Sequence, residues 1–398
     1  MAFSFDPLDE ALRRNPFPSY AQARRDHPVF VHEGLNAASV FRYDDVLGML
    51  KDAETYSNRF PDLVDARGAD DLPQSMLGQD GPEHTRLRSL VNQAFTPRIV
   101  RRLEPRMVEI AEELVDRALE TGIVDWVEAL TYPLPMMVIA EMIGVPLADR
   151  ELFRSWSDAL IENLGAGLLS PPSPEAVERD RVIVSEMSDY FTTLAAERRA
   201  TPRDDLLTGL VRAELEGSRL SFPELLQMLI LLLVAGNETT TTLIGNATLE
   251  LLAHPEALAK LRVDPGLLPT AIDEVLRFAS PIQADARCVT GPVELHGVRL
   301  EADSFVLQWL GSANRDASVF EEPDAFEVAR QPNPHLAFGF GPHFCLGSNL
   351  ARLEARVAIR TLLERTRDFQ LASSEPLPLH PSFLMRAYSK IPLELVAA

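Results

Sequence analysis

The sequence predicts a mainly α-helical fold with a smaller β-rich region, and three patterns support this. Apolar residues recur at helical spacing over most of residues 84–200, where prolines separate one candidate helix from the next. A second helical pattern runs from Leu225 to about Leu252, directly behind the capping-box spacing Ser221-x-x-Glu224. Runs of β-forming residues such as Val29–His32 mark strands, which form the minor part of the chain.

The strand patterns and the composition indicate how the chain is organised. Strand patterns fall in three stretches, roughly residues 25–60, 285–312 and 370–398, and helical patterns fill the remainder. In the last stretch, Leu384 and Met385 are predicted to form a short strand pair with Ile391–Leu395. No Ser/Gly tract or long charge run suggests a linker, so a single domain over residues 1–398 is expected.

Turn and cap signals place the other elements. A helix is predicted to begin at Tyr43, after the strand pattern Ala38–Phe41. A Pro/Gly/Asp-rich loop follows from Phe60 to Pro82, and a loop of this length is expected to serve the function. Another helix spans about Pro269 to Phe278, and a further helix follows Cys345.

Charge and cysteine content exclude several classes of protein. The 59 acidic and 38 basic residues give a net charge of −21, so nucleic acid and anionic membranes are not expected as partners. The two cysteines have no spacing typical of a zinc site or a disulfide framework. The first twenty residues resemble no signal peptide, and the apolar run Leu229–Ala235 is too short to span a bilayer. A cytoplasmic monomer without a membrane segment is therefore expected.

One cysteine stands in an unusual sequence, Phe338-Gly-Phe-Gly-Pro-His-Phe-Cys-Leu-Gly347. Gly339 and Gly341 allow backbone conformations and close approaches that a β-carbon would obstruct, and Gly347 lets a flat partner pass close to the chain. A single thiolate presented in this way indicates either an iron ligand or a nucleophile.

This segment resembles the haem-binding loop of the cytochromes P-450, because Phe-Gly-x-Gly-x-x-x-Cys-x-Gly is filled at every fixed position. The resemblance implies a cytochrome P-450 fold, in which a b-type haem lies between the long central helix and the helix after the cysteine. It also implies that Cys345 is the proximal thiolate ligand of the iron, with Phe338, Gly339 and Gly347 beside the cofactor.

The long helix carries a polar interruption, Ala235-Gly-Asn-Glu-Thr-Thr240, which costs helix stability. By itself it could be a tolerated glycine with surface threonines. With the cysteine segment it resembles the acid–alcohol pair of the family. The resemblance implies that Glu238 relays protons from solvent, that Thr239 steadies the oxygen species that receives them, and that Ala235 and Gly236 adjoin the cofactor.

Two further sets of charged residues match the family at individual positions. The set that the resemblance assigns to the haem carboxylates is His84, Arg88, Arg287 and His343. Each alone could be a surface charge or a capping histidine. The acid–base pair Glu274 and Arg277 resembles the Glu-x-x-Arg motif, and Arg330 is its expected third member. We assign this second set to folding and haem retention, although an i, i+3 pair is common in helices.

Residues that could contact a substrate carry over less directly, since they lie in variable segments of the family. The candidates are Leu232, Ala235, Ile282, Gln283, Ala284, Leu384 and Met385. Most of them are apolar, and ordinary core packing is the alternative interpretation of each.

The resemblance implies a haem-thiolate monooxygenase that inserts one oxygen atom of dioxygen into a small apolar organic substrate. Because no dinucleotide-binding motif is present, electrons from NAD(P)H would arrive indirectly, through a ferredoxin or flavodoxin and its reductase. Arginines on an acidic chain could steer such an acidic partner. They are Arg98, Arg101, Arg102, Arg352, Arg356 and Arg360. The alternatives are a haem-thiolate peroxygenase or isomerase, a non-catalytic haem sensor or carrier, and a helical protein without cofactor.

Overall fold

The computed structural model describes residues 3–60, 75–162, 173–215 and 217–398. These residues form two compact units. The first unit comprises Met1–Ser57, Arg106–Leu134 and Thr239–Ala398, and the second comprises Asn58–Pro105 and Pro135–Glu238. That both belong to a single domain stays a prediction.

Helices dominate the described residues, as predicted. In chain order they are α1 (Glu10–Arg14), α2 (Phe17–Asp26), α3 (Tyr43–Lys51), α4 (Gly81–Ala94), α5 (Pro97–Thr121), α6 (Pro133–Ile143), α7 (Arg150–Glu162), α8 (Pro174–Ala200), α9 (Leu206–Arg212), α10 (Phe222–Ala253), α11 (Pro255–Val263), α12 (Leu268–Phe278), α13 (Leu310–Ala313) and α14 (Ser348–Arg365). Short 3₁₀ turns lie at Met76–Gly78, Leu147–Asp149, Pro265–Leu267 and Gly341–His343, and a π turn at Val127–Thr131.

The strands are short and most of them belong to the first unit. They are β1 (Val29–His32), β2 (Ala37–Val40), β3 (Tyr56–Ser57), β4 (Ile123–Asp125), β5 (Glu214–Leu215), β6 (Ser218–Arg219), β7 (Asp285–Val289), β8 (Val293–Leu295), β9 (Val298–Leu300), β10 (Phe305–Gln308), β11 (Thr366–Leu371) and β12 (Pro392–Ala397). The main sheet has the order β1-β2-β10-β7-β3 and is antiparallel except where β2 and β10 run parallel.

One face of the main sheet packs on α3 and forms a hydrophobic core of the first unit. Ala38, Val40 and Val306 from the sheet share this core with Val46 and Leu50 of the helix, and all five side chains are buried. Apolar residues at helical spacing form the buried stripe of α3, while acidic residues begin the helix and a lysine ends it. Burial of one such Val or Leu side chain stabilises the fold by about 1.5–3 kcal/mol.

The longest described helix, α10, begins with the predicted capping box. The backbone N–H of Ser221 donates to Oε2 of Glu224 at 2.7 Å, and the Glu224 N–H donates back to the Ser221 hydroxyl at 3.4 Å. Among the described helices, α10 alone is long and apolar enough to cross a bilayer, with a mean hydropathy of 1.4. The window is 61% buried within the protein, and core helices of soluble proteins meet the same criterion.

Two predictions about connecting segments have different outcomes. The long loop from Phe60 to Pro82 falls largely on residues 61–74, which lie outside the described residues. The C-terminal strand pair was assigned to the wrong partners: β12 pairs with β11 and with β4, whereas Met385 makes only an isolated bridge to Ile282. Strand β4, which is distant in sequence, takes part in this pairing, and a local sequence pattern does not reveal which distant strand will pair.

Candidate active site

The cysteine loop, residues 338–347, holds Cys345 in a tight turn between a 3₁₀ segment and α14. The Cys345 N–H donates to the Phe338 carbonyl at 2.9 Å, which closes the turn, and the residue is half-buried. Helix α14 begins at Ser348, directly after this turn. The partial positive charge of a helix N-terminus favours a thiolate over a thiol, so the location suits a sulfur ligand.

Close packing against α3 fixes the conformation of the cysteine loop. Gly341 has a φ of +71°, and a β-carbon at this position would lie 2.6 Å from the Leu50 carbonyl oxygen. Gly339 has a similar φ of +67°, but its β-carbon would meet nothing nearer than 4.0 Å. Glycine is therefore required at position 341 by both the positive φ and the lack of space for a β-carbon. At position 339 it is required by the positive φ alone.

An arginine of α14 ties the cysteine loop to α12. The Arg352 guanidinium lies 4.4 Å from the centre of the Phe338 ring, and its Nε donates to Asp273 at 2.7 Å. Burial raises the pKa of Asp273, but hydrogen bonds from His335 and Arg352 outweigh it, so the pKa is lowered. Asp273 is thus held as the anion that Arg352 requires.

Glu274, Arg277 and Arg330 form one ion cluster. Both nitrogens of the Arg277 fork donate to Glu274, at 2.7 and 2.8 Å, and these two side chains are fully buried. Nε of Arg330 donates to both Glu274 oxygens at 3.1 Å. Arg277 also donates to the backbone carbonyls of Asn314, Pro323 and Ala325. The cluster therefore fastens α12 to the segment that leads toward the cysteine loop.

The polar interruption of α10 lies on an accessible face of the helix. Ala235, Glu238 and Thr239 follow the i, i+3, i+4 spacing of one face, and none of them is fully buried. Ala235 is exposed, whereas Asn237, which points elsewhere, is completely buried. Gly236 is half-buried, and a β-carbon there would make only ordinary contact with Ile139 at 3.7 Å.

The candidate carboxylate-binding residues are divided between the units. His84, which is buried, and Arg88, which is half-buried, lie on α4 in the second unit. Arg287 on β7 and the half-buried His343 of the cysteine loop lie in the first. Arg287 is only 4% exposed, and its Nη1 donates to Asp285 at 2.6 Å and to the Ala286 carbonyl. Its Nε and Nη2 make no hydrogen bond to any described residue.

The predicted substrate residues differ in accessibility. Leu232, Gln283, Ala284 and Met385 are buried, while Ile282 and Leu384 are half-buried. The Gln283 side chain accepts a hydrogen bond from the Tyr20 hydroxyl at 3.2 Å and donates to the Ser280 carbonyl at 2.7 Å. Its carboxamide is thus engaged inside the first unit, and its backbone N–H binds the Leu384 carbonyl at 2.7 Å.

The arginines considered for partner steering are partly engaged. Arg352 binds Asp273 as described, and Arg102 forms an exposed ion pair with Asp204. Arg98 and Arg101 are exposed, whereas Arg356 and Arg360 are half-buried.

The sequence analysis did not identify Asp285 as the partner of Arg287. The spacing could have indicated this pair, because residues i and i+2 of a strand lie on the same face of the sheet.

The donor set of these residues fits a haem. Among the described residues, no three His, Cys, Asp or Glu side chains converge to hold a bare metal ion. Cys345 can supply one sulfur ligand, which suits a metal whose remaining ligands come from a porphyrin. The two uncommitted nitrogens of the nearly buried Arg287 present the fork that binds a carboxylate.

Comparisons with known proteins agree with this geometry. The cytochrome P450 family model matches residues 20–264 and 266–391. Cytochrome P450 107B1 of Saccharopolyspora erythraea is 41% identical, over 97% of this chain and 96% of its own. The structure of CYP109Q5 from Chondromyces apiculatus superposes with a TM-score of 0.91, 41% identity and full coverage of both chains. CYP109E1 of Bacillus megaterium in complex with corticosterone gives 0.86, with 36% identity and coverage of 97% and 99%.

The chain belongs to the cytochrome P450 family. It is a haem-thiolate monooxygenase that uses haem b, dioxygen and electrons from separate redox proteins. The predicted family, fold class, activity and cofactor are confirmed.

The close approach at Gly341 predicts different effects for the same substitution at two glycines. Gly341→Ala should lower thermal stability and haem content more than Gly339→Ala, because only Gly341→Ala places a methyl group against the Leu50 carbonyl. The cost of a positive φ in a residue with a β-carbon, shared by both variants, is about 1–2 kcal/mol. Thermal unfolding and the ratio of haem to protein absorbance measure both effects. Equal losses in the two variants would contradict the steric account.

The ion cluster predicts a large stability effect from one buried partner. Arg277→Met leaves the Glu274 carboxylate buried without its main partner, and should destabilise the protein by about 3–5 kcal/mol. Lys260→Met removes an exposed pair with Glu327 and should change stability by less than about 1 kcal/mol. Denaturant unfolding of the two variants measures the difference, and similar values would refute the assigned importance of the cluster.

Proposed function

We propose that Cys345 is the proximal haem ligand and that His84, Arg88, Arg287 and His343 bind the haem carboxylates. Phe338, Gly339, Gly347, Ala235 and Gly236 would border the ring. The observation that carries the proposal is the half-buried residue Cys345, held in a closed turn directly before α14. The free fork of Arg287 supports the carboxylate assignment. Glu274, Arg277 and Arg330 act in folding and haem retention.

Glu238 and Thr239 would carry protons to the site of oxygen reduction. Bound haem supplies the iron at which dioxygen is reduced and one oxygen atom is inserted into the substrate. Thr239 presents a hydroxyl that can accept and donate a proton, and Glu238 can exchange protons with water. Their accessible position on the same face of α10 as Ala235 supports these roles.

The substrate is proposed to be a small apolar molecule held by Leu232, Ala235, Ile282, Ala284, Leu384 and Met385. The side chains of Ile282 and Leu384 are accessible, which favours direct contact for these two. Gln283 would contribute through its backbone position, since its carboxamide binds Tyr20 and Ser280. The corticosterone complex of the similar CYP109E1 is consistent with a substrate of this character.

Electrons would come from a ferredoxin or flavodoxin with its NAD(P)H-dependent reductase, in the cytoplasm, to a monomeric enzyme. Arg98, Arg101 and Arg102 are the exposed members of the predicted arginine set, and Arg102 is paired with Asp204. Arg98 and Arg101 could attract an acidic partner. Attraction of this kind raises the association rate and weakens as salt is added.

The two cysteines of the chain provide a matched test of the haem ligand. The reduced carbon monoxide complex of the wild type should absorb at about 450 nm, as expected for a thiolate-ligated haem. Cys345→Ala should abolish this band, whereas Cys288→Ala, at a buried position of β7, should retain it. Retention of the band in Cys345→Ala would overturn the assignment.

The proposed proton path predicts uncoupling of electron use from product formation. Thr239→Ala should lower the rate of product formation by about 10²-fold or more, since positioned proton transfer contributes at least that much. NAD(P)H consumption should continue and release peroxide. Thr242→Ala removes a buried hydroxyl without a described hydrogen-bond partner and is the control. Full activity of Thr239→Ala, or peroxide alone matching reductase-supported turnover, would count against the path.

A further inference from the structure

A buried glutamate joins the helix after the cysteine loop to the long helix. Glu354 of α14 is 1% exposed, and its Oε2 has no hydrogen-bond partner among the described residues. The carboxyl group makes a hydrogen bond with the hydroxyl of Thr240 on α10. Thr240 is itself buried, and both residues belong to the first unit. Thr240 is therefore the one polar contact of this carboxyl group among the described residues.

The acidic residues of α12, which packs against α14, are engaged with other partners. On α12, Asp273 binds Arg352, and Glu274 binds Arg277. The other charged residues of α14 and β11 are Arg356, Arg360, Glu364, Arg365, Arg367 and Asp368, and those of α10 nearest Thr240 in sequence are Glu238 and Glu250. Burial, opposed only by the Thr240 hydrogen bond, raises the pKa of Glu354 well above its ordinary value of 4.5.

We propose that Glu354 is a neutral carboxylic acid that positions α10 against α14 through Thr240. An ionised carboxylate without a cation is far more costly to bury than a neutral acid, which retains one O–H donor. Thr240 directly follows Thr239, about 100° further around the helix. The contact therefore sets the rotation of α10 at the residue proposed to deliver protons. The positioning role rests on that proposed function of Thr239, whereas the neutral state of Glu354 does not.

Infrared spectroscopy of the intact holoenzyme tests the neutral state directly. At neutral pH the wild type should show the C=O stretch of a protonated carboxylic acid, with the small shift in deuterium oxide that marks an exchangeable proton. Glu354→Gln should abolish this band. Glu364→Gln, at an exposed position of the same helix, should leave it unchanged. Absence of the band in the wild type, or its survival in Glu354→Gln, would overturn the proposal.

The pH dependence of stability provides a second test. Above about pH 4.5 the unfolded state releases this proton and the folded state keeps it, so rising pH favours unfolding of the wild type. The unfolding equilibrium constant of the wild type relative to Glu354→Gln should rise about tenfold per pH unit, up to the folded pKa. The midpoint temperature of the wild-type holoenzyme should therefore fall relative to that of Glu354→Gln between about pH 6 and about pH 8. A constant difference between the two midpoints would show that Glu354 is ionised in the folded state.

The positioning role is tested by the coupling of NAD(P)H consumption to product. Glu354→Gln keeps a neutral hydrogen-bonding group and should retain coupling. Glu354→Leu and Thr240→Val each remove the contact and should lower coupling several-fold, with the double variant no worse than either. Unchanged coupling in both single variants, or additive losses in the double variant, would refute it. A normal carbon monoxide band in these variants separates this failure from failure of the proposed haem ligand.

Discussion

The buried cluster around Glu274 is the interaction on which the rest of the active-site framework depends. The Arg277 guanidinium donates two hydrogen bonds to Glu274 and also binds three backbone carbonyls between Asn314 and Ala325. That segment has little regular structure of its own, so side-chain hydrogen bonds replace the backbone ladder that a helix or strand would supply. Because the chain runs on from this segment to the cysteine loop at Phe338, an ordered path into the loop requires this cluster. A buried ion pair is costly, and the many bonds made here satisfy both charges.

The local patterns of the sequence predicted the elements well where one physical signal dominates. The capping box located the start of α10, and the predicted helices at Tyr43 and at about Pro269 to Phe278 correspond to α3 and α12. The cysteine segment sufficed for the family, because its glycines correspond to specific backbone conformations. The roles of the individual site residues stay proposals.

Contacts between distant parts of the chain could not be predicted from the sequence. The pairing of β12 with β4 joins residues that are far apart in sequence, and no local pattern in either strand identifies the other as its partner. The engagement of Gln283 with Tyr20 and the enclosure of Glu354 are likewise properties of assembled surfaces. A glutamine or glutamate in a sequence favours an exposed position, and only the packed structure reveals the exception.

The parallel pairing of β2 with β10 has a consequence for biosynthesis. These central strands of the main sheet lie at Ala37–Val40 and Phe305–Gln308, so most of the chain is translated between them. At about 5–20 residues per second, the early hairpin waits on the ribosome for roughly ten to fifty seconds before its neighbour emerges. During that interval its unpaired edge is open to other nascent chains. Holdase chaperones that shield this N-terminal hairpin should therefore increase the yield of folded enzyme during overproduction.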